Sequence, residues 1–305
     1  MDGRSLSHIS GVPEPGVPEP ANRELIVARS HDLAKRYIHK GQYRLTGEPF
    51  IRHPERLEKL VSDVLQDTEF KTSARASALV HEAAEDSNII IFDQEPCLYN
   101  FYRPVEEEGK RICYIADKLT HKKGTIRYIV YMNQIFNLAP SGETRDLDII
   151  TLTMKILDRY ENTNPRQRIK KDHYREEFRE FKGQGREQEL IEKYKISEYI
   201  RPGKKLTADR LISSVEEKIM RKLLVNSIDN IGRPYLPRIE YFYPYLWAAE
   251  RVLFEELGEN DKRLFYPDAM KEIMEECECN SDIIINKYRD RFKMEWIGDL
   301  GYSRK

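Results

Sequence analysis

Cysteine is scarce in this chain of 305 residues, and its four occurrences, Cys97, Cys113, Cys277 and Cys279, form neither a C-x-x-C pair nor a regular ladder. That spacing excludes a disulfide-stapled scaffold and reads as reduced thiols in a cytoplasmic protein. The acids in E-E-C-E-C-N disfavour thiolates at Cys277 and Cys279, and with them a metal site there. No apolar run approaches the roughly 18 to 20 residues that a membrane span needs. The opening M-D-G-R-S also lacks the apolar core of a secretion signal. Excess charge of either sign is missing too: Lys+Arg 51 stand against Asp+Glu 52. No global field therefore favours nucleic acid or an acidic membrane, and any anion must be bound locally.

What is present is helical patterning in a chain long enough for one substantial core and a second unit. Residues 11–20 repeat G-V-P-E-P, which predicts an extended, mobile tail over 1–23. From Glu24 onward, Ile26, Leu33, Ala34, Tyr37 and Ile38 recur at helical spacing, as do Leu57, Leu60, Val61, Val64 and Leu65. Helices are also expected over Ser73 to Glu85, Tyr128 to Phe136 and Leu147 to Glu161, and around 209–229, 244–257 and 268–293. The expected architecture is all-α. Mixed charges at helical spacing in R-Q-R-I-K-K-D-H-Y-R-E-E-F-R-E-F-K predict a solvated helix rather than a basic binding face.

Three segments concentrate polar chemistry. In L-V-H-E-A-A-E-D-S, at 79–87, helical spacing puts His81 over Glu85 and Glu82 over Asp86, so one surface carries a histidine and three mutually repelling acids. Such crowding either faces water or is stabilised by a cation. One short segment rarely surrounds an ion, so further ligands must come from elsewhere. The other two candidates are G-Q-Y-R-L-T-G-E-P-F-I-R-H-P at 41–54 and K-I-L-D-R-Y-E-N-T at 155–163, where Asp158 ends a mostly apolar helix with Asn162 one turn later.

Taken together and in this order, the segments resemble the hydrolase domain of the RelA/SpoT family, a branch of the HD-domain metal-dependent phosphohydrolases. The matching patterns are G-Q-Y-R-x-x-G-E-P-[FY]-I-x-H-P, L-x-H-[DE]-x-x-E-D-[ST] and K-[IL]-x-D-R-x-x-N, spread over about residues 24–165. The resemblance implies an HD-type helical bundle over 24–165, with 166–305 a helical extension. It also implies that His53, His81, Glu82 and Asp158 hold a metal, usually manganese, and that the acidic pair Glu85 and Asp86 orients or activates the attacking water. Arg44, with Tyr43 beside it, would pack on a guanine base, and Asn162 would contact the nucleotide near the ribose. The substrate so implied is the alarmone (p)ppGpp, which loses its 3′-pyrophosphate to leave GDP or GTP.

Two positions depart from that family: Glu82 stands where it has aspartate, and Leu45 where relatives often carry a basic residue. Three readings follow: a working (p)ppGpp hydrolase, an HD-type hydrolase of another phosphorylated nucleotide, and a nucleotide-binding regulatory protein that has lost turnover. Each residue also has an ordinary explanation. His53 could cap the helix near Pro54, Asp158 could pair with Arg159, and His81 with its acids could form a solvated face. His31-Asp32 precedes the G-Q-Y-R segment and reads as a polar patch, and His39 reads as structural. His121 and His173 receive no role. No synthetase nucleotide pattern stands out in 166–305, which leaves that half for self-association, a protein partner or a cover over the pocket.

Overall fold

A computed structural model describes residues 19–83, 98–121, 128–163, 169–200, 203, 205–224, 246–277 and 279. The fold is all-α, as expected. Among the described residues the only extended pairings are two isolated antiparallel bridges, Tyr43 with Pro49 and Leu65 with Phe265. No helix among them is long and apolar enough to cross a membrane. The helices include α1 (Glu19–Leu33), α2 (Arg52–Val64), α3 (Lys71–Val80), α4 (Leu98–Tyr102), α5 (Glu106–Leu119), α6 (Tyr128–Phe136), α7 (Gly142–Thr163), α8 (Lys171–Gly183), α9 (Glu187–Tyr194), α10 (Ala208–Leu224) and α11 (Glu259–Lys262), with further helical residues at 246–250 and 267–277. Of the boundaries that differ from expectation, two bear on the site and the tail. α1 begins at Glu19, five residues inside the expected tail, because Pro20 falls in the first helical turn, where its missing N–H breaks no hydrogen bond. α3 ends at Val80 rather than running to Glu85, so His81 and Glu82 occupy the turn that follows.

The chain divides into two compact units that interleave in sequence. The first comprises residues up to Gln42, Ile51–Asn162 and Trp247–Glu276; the second comprises Tyr43–Phe50, Thr163–Leu246 and the residues from Cys277. The sequence-based boundary near 165 lies close to the division at Thr163, but it leaves Tyr43–Phe50 and Trp247–Glu276 each on the other side from the unit it joins.

In the first unit, α3 packs against α1, α2 and α5. Its composition explains how: Ala74, Ala76, Ala78 and Ser77 are fully buried, and small side chains let neighbouring helices approach closely. Ser77 satisfies its hydroxyl by donating to Ser73 O at 2.7 Å and Ile112 O at 3.2 Å. Gly109 in α5 serves the same purpose, since a Cβ there would lie 2.8 Å from Tyr102 Cβ. α7 is apolar on nearly every side, with Ile149, Ile150, Leu152, Met154, Ile156 and Leu157 all buried, which makes it a central helix. Trp247–Glu276 joins this unit through Tyr266 N–H to Val64 O at 2.8 Å, Gln66 N–H to Leu264 O at 3.1 Å and Arg145 to Asp261 at 2.9 Å.

The second unit has its own core of Tyr174, Phe178, Leu190, Tyr194, Ile196, Leu206, Leu211, Ile212 and Val215, drawn from α8, α9, α10 and the segments between them. The mixed-charge helix is thus solvated on one side only, with Tyr174 and Phe178 turned inward. Lys195 ends α9 in the left-handed conformation, and Lys218 donates to the freed carbonyls of Tyr194 and Lys195.

Candidate metal centre

α2 begins at Arg52, and its N-cap, Ile51, makes no side-chain cap bond. His53 is thus not a cap. Helical spacing aligns His53 with the buried Leu57 and Val61, which turns the imidazole inward. His81 and Glu82 arrive from the end of α3, and Asp158 from the last turns of α7. Ligand atoms of His53, His81 and Glu82 lie within 4.8 Å of one another. Asp158 Oδ1 is 3.3 Å from His53 Nε2 and 4.0 Å from His81 Nε2, and Glu82 Oε1 is 3.9 Å from His53 Nε2. The fold therefore brings together four residues from three segments that are far apart in sequence.

Hydrogen bonding fixes the tautomers. His81 Nδ1–H donates to Ala78 O at 2.9 Å, and His53 Nδ1–H donates to Glu161 Oε2. Each ring therefore presents Nε2 to a carboxylate. His53 Nε2 is buried and makes no hydrogen bond of acceptable geometry, although Asp158 Oδ1 is close. An imidazole that donates one N–H outward and aims its other nitrogen at converging carboxylates is the usual arrangement around a metal. Two donors bound to one ion at about 2.1 Å stand roughly 3.0 to 4.2 Å apart, from right-angle to opposite placement. The three nitrogen–oxygen distances above fall in that window, and His53, His81 and Glu82 form a group that could hold a divalent ion, with Asp158 beside the two histidines.

The titration behaviour follows from the same contacts. Burial lowers His81 to about 4 despite nearby Asp158, which keeps it neutral. Burial also acts to lower His53, but the nearby carboxylates of Asp158, Glu161 and Glu82 prevail and raise it to about 9. Burial would raise Asp158, yet Lys155, His53 and His81 hold it well below the usual carboxylate range. Without a cation, a proton on His53 partly offsets the surrounding carboxylates.

Several neighbours were not singled out by the sequence. Lys155 Nζ lies 3.3 Å from Asp158 Oδ2 and so holds that oxygen away from the histidines. Glu161 anchors His53 and is itself held by Arg56 Nε at 2.6 Å. The available signal was spacing, since Glu161 follows Asp158 by three on one helix. His39 also reaches the cluster, with its Nε2 3.8 Å from Glu82 Oε2. Asn162 donates to Asp158 Oδ1 at 2.7 Å. His31 instead bonds Glu55 at 2.8 Å and Asp32 pairs with Arg36, so that His-Asp pair has no part in the cluster.

Glu85 and Asp86 lie outside the described residues. Tyr43 and Arg44 belong to the second unit, where their segment is held on α8. Tyr43 stacks on His173 with ring centroids 4.6 Å apart, Lys170 N–H donates to Thr46 O at 2.7 Å, and Tyr174 OH donates to Leu45 O at 2.5 Å. Leu45 packs against the second unit's core. That contact accounts physically for an apolar residue at this position.

Comparison with protein-family models, with curated proteins and with solved structures yields no match to this chain.

Proposed function

We propose that the chain is a metal-dependent phosphohydrolase that removes the 3′-pyrophosphate of (p)ppGpp. The observation that carries this reading is the convergence of His53 and His81 Nε2 on the carboxylates of Glu82 and Asp158. The order of motifs supplies the substrate class by resemblance. His53, His81, Glu82 and Asp158 would hold the ion, and manganese suits this mixture of imidazole and carboxylate ligands. Such an ion polarises phosphoryl oxygen and makes bound water acidic.

The remaining steps belong to the chain's own groups. Lys155 and Asn162 orient Asp158, each on a different oxygen. Glu161, steadied by Arg56, fixes the ring of His53. Glu85 or Asp86 would accept a proton from the water whose oxygen bonds to the phosphorus, the P–O3′ bond breaks, and the ribose 3′-oxygen takes up a proton as it leaves. The resemblance, rather than any geometry, is what assigns the guanine to Tyr43 and Arg44, for which stacking and cation–π attraction would be the physical basis. A hydrolase of another phosphorylated nucleotide would use the same centre.

Incubating the purified protein with ppGpp and Mn2+, then separating the nucleotides, tests the reading. Release of GDP and pyrophosphate is the expected result. Equal metal content in wild type and His81→Ala would overturn the ligand set.

A further inference from the structure

We propose that His173 is a positioning residue for nucleotide binding: its imidazole backs the ring of Tyr43 and so presents the other face of the tyrosine to a purine base. The inference rests on the reading of Tyr43 as a guanine contact and adds what holds that ring in place. All the residues involved belong to the second unit.

The segment that carries Tyr43 is built to lie on α8. Tyr43 pairs with Pro49 across a tight turn, inside which Arg44 N–H donates to Glu48 O at 2.9 Å and Gly47 N–H to Arg44 O at 2.8 Å. Lys170 N–H and the Tyr174 hydroxyl donate to Thr46 O and Leu45 O, so residues on either side of His173 tie the turn down. Gly47 makes the close approach possible. Its φ is +76°, and a Cβ there would lie 3.0 Å from His173 Cδ2. The turn thus rests on the imidazole at Gly47, while Tyr43 stacks on it with centroids 4.6 Å apart and planes 22° from parallel.

The imidazole is itself held. Tyr194 OH donates its single hydrogen to Glu177, which leaves the phenolic oxygen to accept from His173 Nε2–H at 3.5 Å. Lys193 pairs with Glu177, and Tyr174 meets the His173 ring edge to face, with centroids 5.2 Å apart. Tyr43, by contrast, stays 53% exposed although one face lies on His173. Core packing would bury such a ring. Fixed on one side and open on the other, it can take a base by stacking without losing further rotamer freedom. A fused purine overlaps more of the ring than a pyrimidine does, so the ligand class is a purine nucleotide.

Proton NMR of the full chain titrated with GDP tests this. A guanine stacked on Tyr43 lies in the shielding cone of the ring, so its base proton should move upfield on binding, and Tyr43→Ala should abolish that shift. His173→Ala should weaken GDP binding at least about fivefold, whereas His173→Phe, which keeps a flat ring there, should stay within about twofold of wild type. In a Tyr43→Ala background His173→Ala should have no further effect, because a residue that acts through Tyr43 has nothing left to position. A base proton unmoved in wild type would overturn the inference; so would unchanged affinity in His173→Ala, or an equal loss with and without Tyr43. Turnover of ppGpp with Mn2+, measured separately, tells the failures apart. Hydrolysis without a guanine–Tyr43 contact overturns this inference alone, and that contact without hydrolysis overturns the phosphohydrolase reading alone.

Discussion

Shortening Glu82 by one methylene perturbs the centre most sharply. Its Oε1 stands 3.9 Å from His53 Nε2. That value is near the outer limit, about 4.2 Å, for donors sharing an ion. Glu82→Asp withdraws the carboxylate by roughly one carbon–carbon bond, about 1.5 Å at most. At least one histidine is then left near 5 Å, beyond a shared ion. Val80 and Ala83 on either side are fully buried, so close packing prevents the backbone from following. Loss of one ligand should weaken metal binding by about 10- to 100-fold, or about 1.4 to 2.7 kcal/mol. Competition of Mn2+ against a fluorescent chelator reads the affinity, ppGpp turnover reads the activity, and thermal melting checks the fold. Tighter binding together with a large gain of hydrolysis in Glu82→Asp would refute this reasoning. It would identify a centre that decayed from a His-Asp arrangement rather than one fitted to glutamate.

Replacing Glu85 and Asp86 by Gln and Asn should leave metal content intact and lower turnover at least about a hundredfold; loss of metal would make them ligands instead. The metal-free protein should be most stable near neutrality. His39 and His81, each lowered chiefly by burial to about 4, contribute stability that is full above 6.5 and lost as pH falls towards 4. His53, raised to about 9, contributes stability that is full below 6.5 and lost as pH rises through 9. A melting temperature of the chelated protein that stays flat from pH 5 to 9.5 would contradict these assignments. Gly109→Ala puts a methyl 2.8 Å from Tyr102 Cβ and 2.9 Å from Tyr102 O, and should cost about 1 to 3 kcal/mol in urea unfolding. Leu45→Lys should speed amide exchange at Arg44 and Gly47, whose N–H groups bond Glu48 O and Arg44 O, because the segment loses its apolar anchor. Unchanged exchange there would show that Leu45 does not hold it.

Local periodicity determined the helices because an apolar stripe at helical spacing is written in consecutive residues: α2, α7 and Tyr128–Phe136 stand where the pattern puts them. The same stripe says little about where a helix stops. α3 ends at Val80 and α1 widens at Ala34, and neither break carries a glycine or proline inside the helix to announce it. His53, His81, Glu82 and Asp158 were nameable from motif order. Their distances came from tertiary structure, with α2 packed on the alanine-rich α3 and Asp158 brought to the histidines from α7. The assignment of Tyr43–Phe50 to the second unit could not be read from the chain, because it depends on Leu45 finding the core built by Tyr174, Tyr194 and Leu211. Periodicity is a property of neighbours along the chain. Ligand convergence and unit membership are properties of neighbours in space, and only tertiary packing fixes those.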